Sequence, residues 1–335
     1  MNESRGPILL ITGEDSWEAV SEIEEYSEFV RKNEPIRVSI RTKVPVLEYL
    51  FEIAERFRGE RPEMVVAIGG GKIIDSAKVI AGIVSCDSEN PVEIISKGLV
   101  GNHVPKIVAM PTTAGSGSEA TCFAVVYHGG KKISYKNDKL IPREVIFSMD
   151  AIRMQPRRVL VSGALDATCQ AIESMWAISA TESSKEIAFQ SLSKIWKYME
   201  NGLQDDYLAE ELVMAANLSG KAINISKTTA PHALSYGATM ILGIPHGIAV
   251  SILMVDFLKM HESLPVMQRI SEVIGTPADI AWMDMLKAVN PPIDCNKQEM
   301  NDDTIEQLVS WVNEERLSNN PVSINRQDVR NSFYN

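Results

Sequence analysis

The sequence has no block of clustered lysine and arginine, and its 33 basic residues are outnumbered by 44 acidic ones, for a net charge of −11. That balance argues against a nucleic-acid surface or an anionic membrane as partner. An anionic small molecule remains compatible, because a pocket can be basic inside an acidic protein. No window reaches the roughly 18 apolar residues needed to span a bilayer. The start, MNESRGPILLITG, has no long apolar run behind a basic segment, so no signal peptide is expected. The four cysteines, Cys86, Cys122, Cys169 and Cys295, lie far apart and form no CxxC pair. Reduced thiols in a cytoplasmic protein are the expectation. Repeats and low-complexity segments are also missing. What is present is length enough for two domains, 335 residues, with 45% apolar residues to build cores.

The first part alternates strands with helices. PILLIT, IRVSI, EMVVAIGGG and KIVAMPTT read as strands. SWEAVSEIEEYSEFVRK, VLEYLFEIAERFRG and IIDSAKVIAGIVS read as helices between them. This alternation indicates a parallel, doubly wound, Rossmann-like sheet. After about Pro156 three long segments follow at helical spacing, RRVLVSGALDATCQAIESMWAIS, SSKEIAFQSLSKIWKYMEN and YLAEELVMAANLSGKAINI, with no strand pattern of comparable strength. The expectation is a dinucleotide-binding α/β domain over 1–155 and an all-α metal- and substrate-binding domain over 156–335. Near the end Asn325 is a candidate cap for a last helix.

Two glycine-rich loops follow strands. AIGGGKIIDSAK puts Gly69, Gly70 and Gly71 where a backbone can approach a pyrophosphate at a helix N-terminus, with Lys72 and Asp75 on that helix. The spacing is not GxGxxG, and a tight strand–helix turn is the competing reading. MPTTAGSGSEAT adds Thr112, Thr113 and Ser116, hydroxyls suited to a phosphate or ribose. Together they suggest a dinucleotide across the strand ends. Where an acidic residue would bind ribose hydroxyls, the second strand ends with Ser39 and Arg41. A cation there suits a 2′-phosphate and so leans to NADPH, with ordinary surface charge as the alternative. Lys132, after HGG, is a hairpin-tip or cofactor-contact candidate.

Asp166 and Gln170 stand four apart on an apolar helix and so point the same way. An unpaired carboxylate among Ala164, Leu165 and Ala167 would be costly. His232 lies in a polar-poor helix, and His246 sits in a Pro-His-Gly turn. One carboxylate and two imidazoles suit Fe(II) or Zn(II) with an open position. A core histidine and a capping Asp–Gln pair are the bland alternatives.

These pieces carry a resemblance. GGGKIIDSAK resembles GGGSxxDxAK, PTTAGSGSEAT resembles PTTAGTGSE, GALDATCQAIES resembles GxDAxxHAxE, and HALSYGATMILGIPHG resembles HxxxHxxGxxxxxPHG. As an ordered set they resemble the iron-containing (type III) alcohol dehydrogenase family, over nearly the whole chain. The resemblance implies a dehydroquinate synthase-like architecture, a nicotinamide cofactor, and a metal held by one Asp and three His. Asp166, His232 and His246 fall on three ligand positions. Gln170 falls on the fourth, and Tyr236 replaces a further histidine. DATCQAIES and TTAPHALSY are similar to a subgroup that reduces phosphonoacetaldehyde to 2-hydroxyethylphosphonate. On that expectation the partner is a small anionic aldehyde, Lys227 meets its charged end, and Tyr236 relays a proton or forms a wall. The competing readings are another iron-type alcohol dehydrogenase, a dehydroquinate synthase-like lyase or cyclase, and a nucleotide-binding protein without metal. The oligomeric state stays open, a homo-oligomer among the options.

Overall fold

The computed structural model describes residues 6–204, 208–292 and 301–332. Cys295 lies outside the described residues. The chain divides into two compact units, Met1–Thr113 with Ser118–Gln155, and Ala114–Gly117 with Pro156–Asn335.

The first unit runs β1 (Ile8–Gly13), α1 (Glu14–Val20), α2 (Glu24–Asn33), β2 (Ile36–Ile40), α3 (Leu47–Arg58), β3 (Met64–Gly69), α4 (Gly71–Val84), α5 (Pro91–Lys97), β4 (Lys106–Pro111), β5 (Phe123–His128), β6 (Lys131–Lys136), β7 (Glu144–Val145) and α6 (Met149–Arg153). The sheet has the order β2-β1-β3-β4-β7 and is parallel throughout. Successive side chains of a strand point to opposite faces. Thus Leu9, Ile11, Val65, Ala67, Ile107 and Ala109 enter one core layer, with residues of α3, α4 and the hairpin. Leu10, Val66, Ile68, Val108 and Met110 enter another, with Val20 and Tyr26. Burial on both faces is why these strands read as continuous apolar runs.

SWEAVSEIEEYSEFVRK forms two helices rather than one, with Ile23 in extended conformation between them. Trp17, Val20, Ile23, Tyr26 and Phe29 all pack on the same core layer. Apolar residues three apart drift about 60° round a straight helix at each step. Breaking the helix resets that phase and keeps all of them on the sheet.

α4 carries a fully buried cation. Lys78 Nζ donates to the carbonyls of Ser118, Thr121 and Phe123 at 2.6, 2.8 and 2.9 Å, and to Thr121 Oγ1 at 3.0 Å. Burial pulls this ammonium down to about 8, against the raising influence of Asp75 and Glu119. Asp75, less than one turn earlier, accepts from Ser118 Oγ at 2.8 Å and from the Val125 N–H at 2.9 Å. These two side chains fasten residues 118–125 to α4. β5 and β6 pair antiparallel across Gly129–Gly130, both at positive φ, as a two-residue hairpin turn requires. Lys132 is not at the tip: it pairs opposite Tyr127, and its charge acts on Asp75.

The second unit runs α7 (Arg157–Trp176), α8 (Glu182–Glu200), α9 (Leu208–Ser226), α10 (Ala230–Ile241), α11 (His246–Met260), α12 (Val266–Ile274), α13 (Ala278–Val289), α14 (Asp302–Ser310), α15 (Glu314–Leu317) and α16 (Arg326–Asn331). Asn325 caps α16 in a reciprocal pair with Asp328. α7 packs against α8, α9 and α11, and every residue from Ala164 to Trp176 is buried. A helix surrounded in this way must supply partners for each of its polar groups. Among the described residues no helix is long and apolar enough to cross a membrane.

Candidate metal centre and cofactor cradle

Asp166, Gln170 and Glu173 recur at i, i+4 and i+7 on α7, one face of the helix. Two glycine contacts bring other segments onto α7 and α9. Gly247 follows His246 at the start of α11, where a Cβ would stand 1.8 Å from the Ser162 carbonyl oxygen and 2.9 Å from Asp166 Cβ. Only glycine lets α11 begin this close to Asp166. Gly117, at φ +64°, lies on Gly220 of α9, its missing Cβ 2.5 Å from Gly220 Cα. This contact helps hold Ala114–Gly117 in the helical unit.

The structure brings Asp166, His232 and His246 together. One donor atom each of Asp166, His232 and His246 lie within 4.8 Å of one another. His232 Nε2 is 3.1 Å from Asp166 Oδ1, and its Nδ1 meets Glu173 Oε2. Glu173 Oε1 accepts from the Thr229 N–H at 2.8 Å, from Thr229 Oγ1 at 2.9 Å and from the His232 N–H at 3.4 Å. No side chain within α10 or its cap position closes that helix start. Glu173 does so from α7, and its charge suits the helix N-terminus. Sequence reading missed Glu173. The available signal was its place seven residues after Asp166, with Ile172 before it and Met175 two positions after.

Burial raises the Asp166 carboxyl, but the His232 hydrogen bond, both imidazoles and Gln170 outweigh it and hold the group below its usual range. Burial lowers His232, and Glu173 and Asp166 together overcome this and lift it to about 9. Two carboxylates thus hold the ring at either nitrogen, an arrangement in which a cation can replace the proton at Nε2. The donor set fits a divalent first-row ion. His246 opens α11 rather than standing in a free turn, with Nδ1 3.4 Å from Ser235 Oγ. Tyr236 stacks on the His246 ring, centroids 5.6 Å apart.

Gln170, expected as the fourth ligand, has both ends of its amide engaged. Its Nε2 donates to the Ser116 carbonyl at 3.3 Å, and its Oε1 accepts from Ser219 Oγ at 2.9 Å. Lys227 closes α9 in a left-handed conformation, and its ammonium pairs with Glu315.

The cofactor candidates of the first unit gather at the C-terminal ends of its strands. Gly69 ends β3, Gly70 caps α4 without a side-chain hydrogen bond, and Gly71 begins it. A Cβ on Gly70 would meet Thr113 Oγ1 at 2.8 Å, and the Thr112 N–H donates to the Gly69 carbonyl at 3.2 Å. Lys72 Nζ reaches the Thr42 carbonyl at 3.0 Å. The Thr12, Ser39 and Thr42 hydroxyls are buried without a hydrogen-bond partner among the described residues, and Thr12 stands beside Ser39 in register. An open helix start and unpaired hydroxyls fit a dinucleotide's phosphate and ribose. Asp75 is engaged by Ser118 and Val125, and Arg41 lies 3.7 Å from Glu14 on an exposed edge. Ser116 is exposed in the second unit.

The sequence model of the iron-containing alcohol dehydrogenases matches residues 2–149, and that of the C-terminal part of the Fe-containing alcohol dehydrogenase family matches residues 160–334. The chain belongs to the iron-containing alcohol dehydrogenase family. Among this family's members, phosphonoacetaldehyde reductase of Streptomyces viridochromogenes is 31% identical over 225 residues, 64% of this chain and 57% of the relative. An alcohol dehydrogenase of Thermococcus barophilus is 29% identical over 211 residues, 61% of this chain and 55% of the relative. The chain thus spans little more than half the length of these curated relatives. An iron-containing alcohol dehydrogenase of Thermotoga maritima superposes with a TM-score of 0.85 at 21% identity, covering 98% of this chain and 90% of that one. Sulfoacetaldehyde reductase of Bifidobacterium kashiwanohense, in complex with NAD+, superposes with a TM-score of 0.84 at 23% identity, covering 98% and 90%. The parallel α/β unit and the helical unit are therefore this family's fold.

Proposed function

We propose that the chain is a metal-dependent, nicotinamide-linked reductase of a small anionic aldehyde, with phosphonoacetaldehyde as substrate and 2-hydroxyethylphosphonate as product. The observation that carries this reading is the convergence of Asp166, His232 and His246, with His232 fixed by Glu173. The intact set favours a reductase over a nucleotide-binding protein without metal. The substrate follows the relative from Streptomyces viridochromogenes, whose name gives that aldehyde.

A reduced nicotinamide supplies the hydride, and iron(II), with zinc as the alternative, supplies polarisation of the carbonyl oxygen. This chain's own residues do the rest. Asp166 is the anionic donor of the set. Glu173 holds His232 with Nδ1 turned inward to a carboxylate, which leaves Nε2 for the centre. Ser235 steadies His246 at Nδ1. Tyr236, stacked on that ring and 7% exposed, acts as a wall that excludes water, and the proton relay is left to solvent. The cradle accepts either NADH or NADPH: Ser39 offers a hydroxyl to ribose, and Arg41 meets a 2′-phosphate only by leaving Glu14.

The test is metal analysis of protein purified without chelator, with reductase assays on phosphonoacetaldehyde, sulfoacetaldehyde and an uncharged aldehyde of similar length. Bound metal, with the phosphonate preferred, is the expected result. Asp166→Ala loses the metal and nearly all activity. Full activity in the metal-free variant would end the metal reading, and a preference for the uncharged aldehyde would end the substrate assignment.

A further inference from the structure

We infer that Gln170 stays off the ion, so that three side chains hold it where the family pattern has four, and that the vacated position takes a second, anionic oxygen of the substrate. The inference rests on the aldehyde-reductase reading above. Gln170 is buried, and both ends of its amide are engaged, by Ser116 and by Ser219. A backbone carbonyl can only accept, so the nitrogen must face Ser116, and turning the amide over would set oxygen against oxygen. Gln170 also lies close enough to Asp166 to help hold its carboxyl down. An N–H cannot ligate a cation, and Oε1, which keeps a second lone pair, is directed to Ser219 of α9.

Gln170 is therefore a positioning residue that ties Asp166 to the Ala114–Gly117 loop and to α9. What remains is two histidines and one carboxylate, a set that leaves positions open on iron(II). The cation expected at the substrate's charged end, Lys227, pairs with Glu315. A phosphonate oxygen on the ion itself would meet that charge without a lysine, alongside the carbonyl oxygen.

Cobalt(II) is the probe, added to the full chain without nicotinamide and followed by visible absorption. Gln170→Met is expected to lower the melting temperature, because the Ser116 carbonyl loses its donor. It is also expected to weaken cobalt binding, as the loss of a positioning residue does, yet to leave the visible bands of bound cobalt in place. Gln170→His binds cobalt at least about tenfold more tightly and changes its bands. 2-Hydroxyethylphosphonate is expected to shift the wild-type cobalt bands at a concentration at least about tenfold below that of 1-propanol, and to lose this advantage in Gln170→His. Cobalt bands that change position or intensity in Gln170→Met make Gln170 a ligand and overturn the inference. Equal shifts by the two alcohols overturn the second oxygen. Wild type that binds no cobalt overturns both the inference and the metal centre. The reductase reading fails separately, when iron-loaded protein reduces none of the aldehydes.

Discussion

Replacing Lys78 by methionine keeps the length of the side chain and removes its charge and its donors. Three carbonyl oxygens, of Ser118, Thr121 and Phe123, then lose a donor inside the first unit, and Asp75 and Glu119 lose a nearby cation. A buried acceptor left without a donor costs about 1–3 kcal/mol. The methionine recovers part of this through apolar burial and spares the desolvation of the ammonium. Stripping one partner from a buried charged group costs about 3–5 kcal/mol net. For a unit of this size each kcal/mol moves the melting temperature by about 2–4 °C, so Lys78→Met lowers it by about 10 °C. Urea unfolding followed by far-UV circular dichroism, with calorimetry, measures both. Adding Asp75→Asn to Lys78→Met should cost less than the sum of the single changes, because the two charges act on each other. A loss below about 1 kcal/mol would refute the argument, since it would mean that desolvation cancels the four bonds.

Glu173→Gln should weaken metal affinity by about 10–100-fold, since it removes the anion behind His232, and competition with a chelator measures this. Unchanged affinity would mean that Glu173 only caps α10. Gly247→Ala forces a methyl onto the Ser162 carbonyl and Asp166. It should lose metal and lower the melting temperature together, and full metal loading would show that α11 can shift without disturbing the ligands. Lys227→Met breaks an ion pair with the half-exposed Glu315 and should cost no more than about 1 kcal/mol of stability. It should also leave the ratio of kcat/KM for phosphonate and uncharged aldehydes unchanged, whereas a loss confined to the anion would restore Lys227 to the substrate site.

The ligand triad was legible because its parts are local. Asp166 has apolar neighbours on both sides, and a Pro-His-Gly segment aims His246 at a helix start. The parallel sheet was legible because strands buried on both faces read as apolar runs. Glu173 was hidden because a glutamate on a helix ordinarily faces water, and its partners at 229 and 232 come more than fifty residues later. The direction of the Gln170 amide depends on Ser116 and Ser219, each about fifty positions away, which no helical period encodes. Lys227 closes α9 three residues before the start of α10, a boundary that no spacing of apolar residues marks, and its pairing with Glu315 joins positions far apart in the chain.

The four residues Ala114–Gly117 belong to the helical unit, although the chain on either side belongs to the other. Neither unit is then a single length of polypeptide. A gene fusion that exchanged the first unit at Gln155 would bring in a foreign copy of this loop. The helical unit it joined would keep the carbonyl at position 116, which any residue supplies, only where the foreign loop ran the same course. It would also inherit whatever stood in place of Gly117, which Gly220 admits against α9. Recombination at the apparent boundary therefore puts the contacts of Gln170 and Gly220 under the control of the foreign chain.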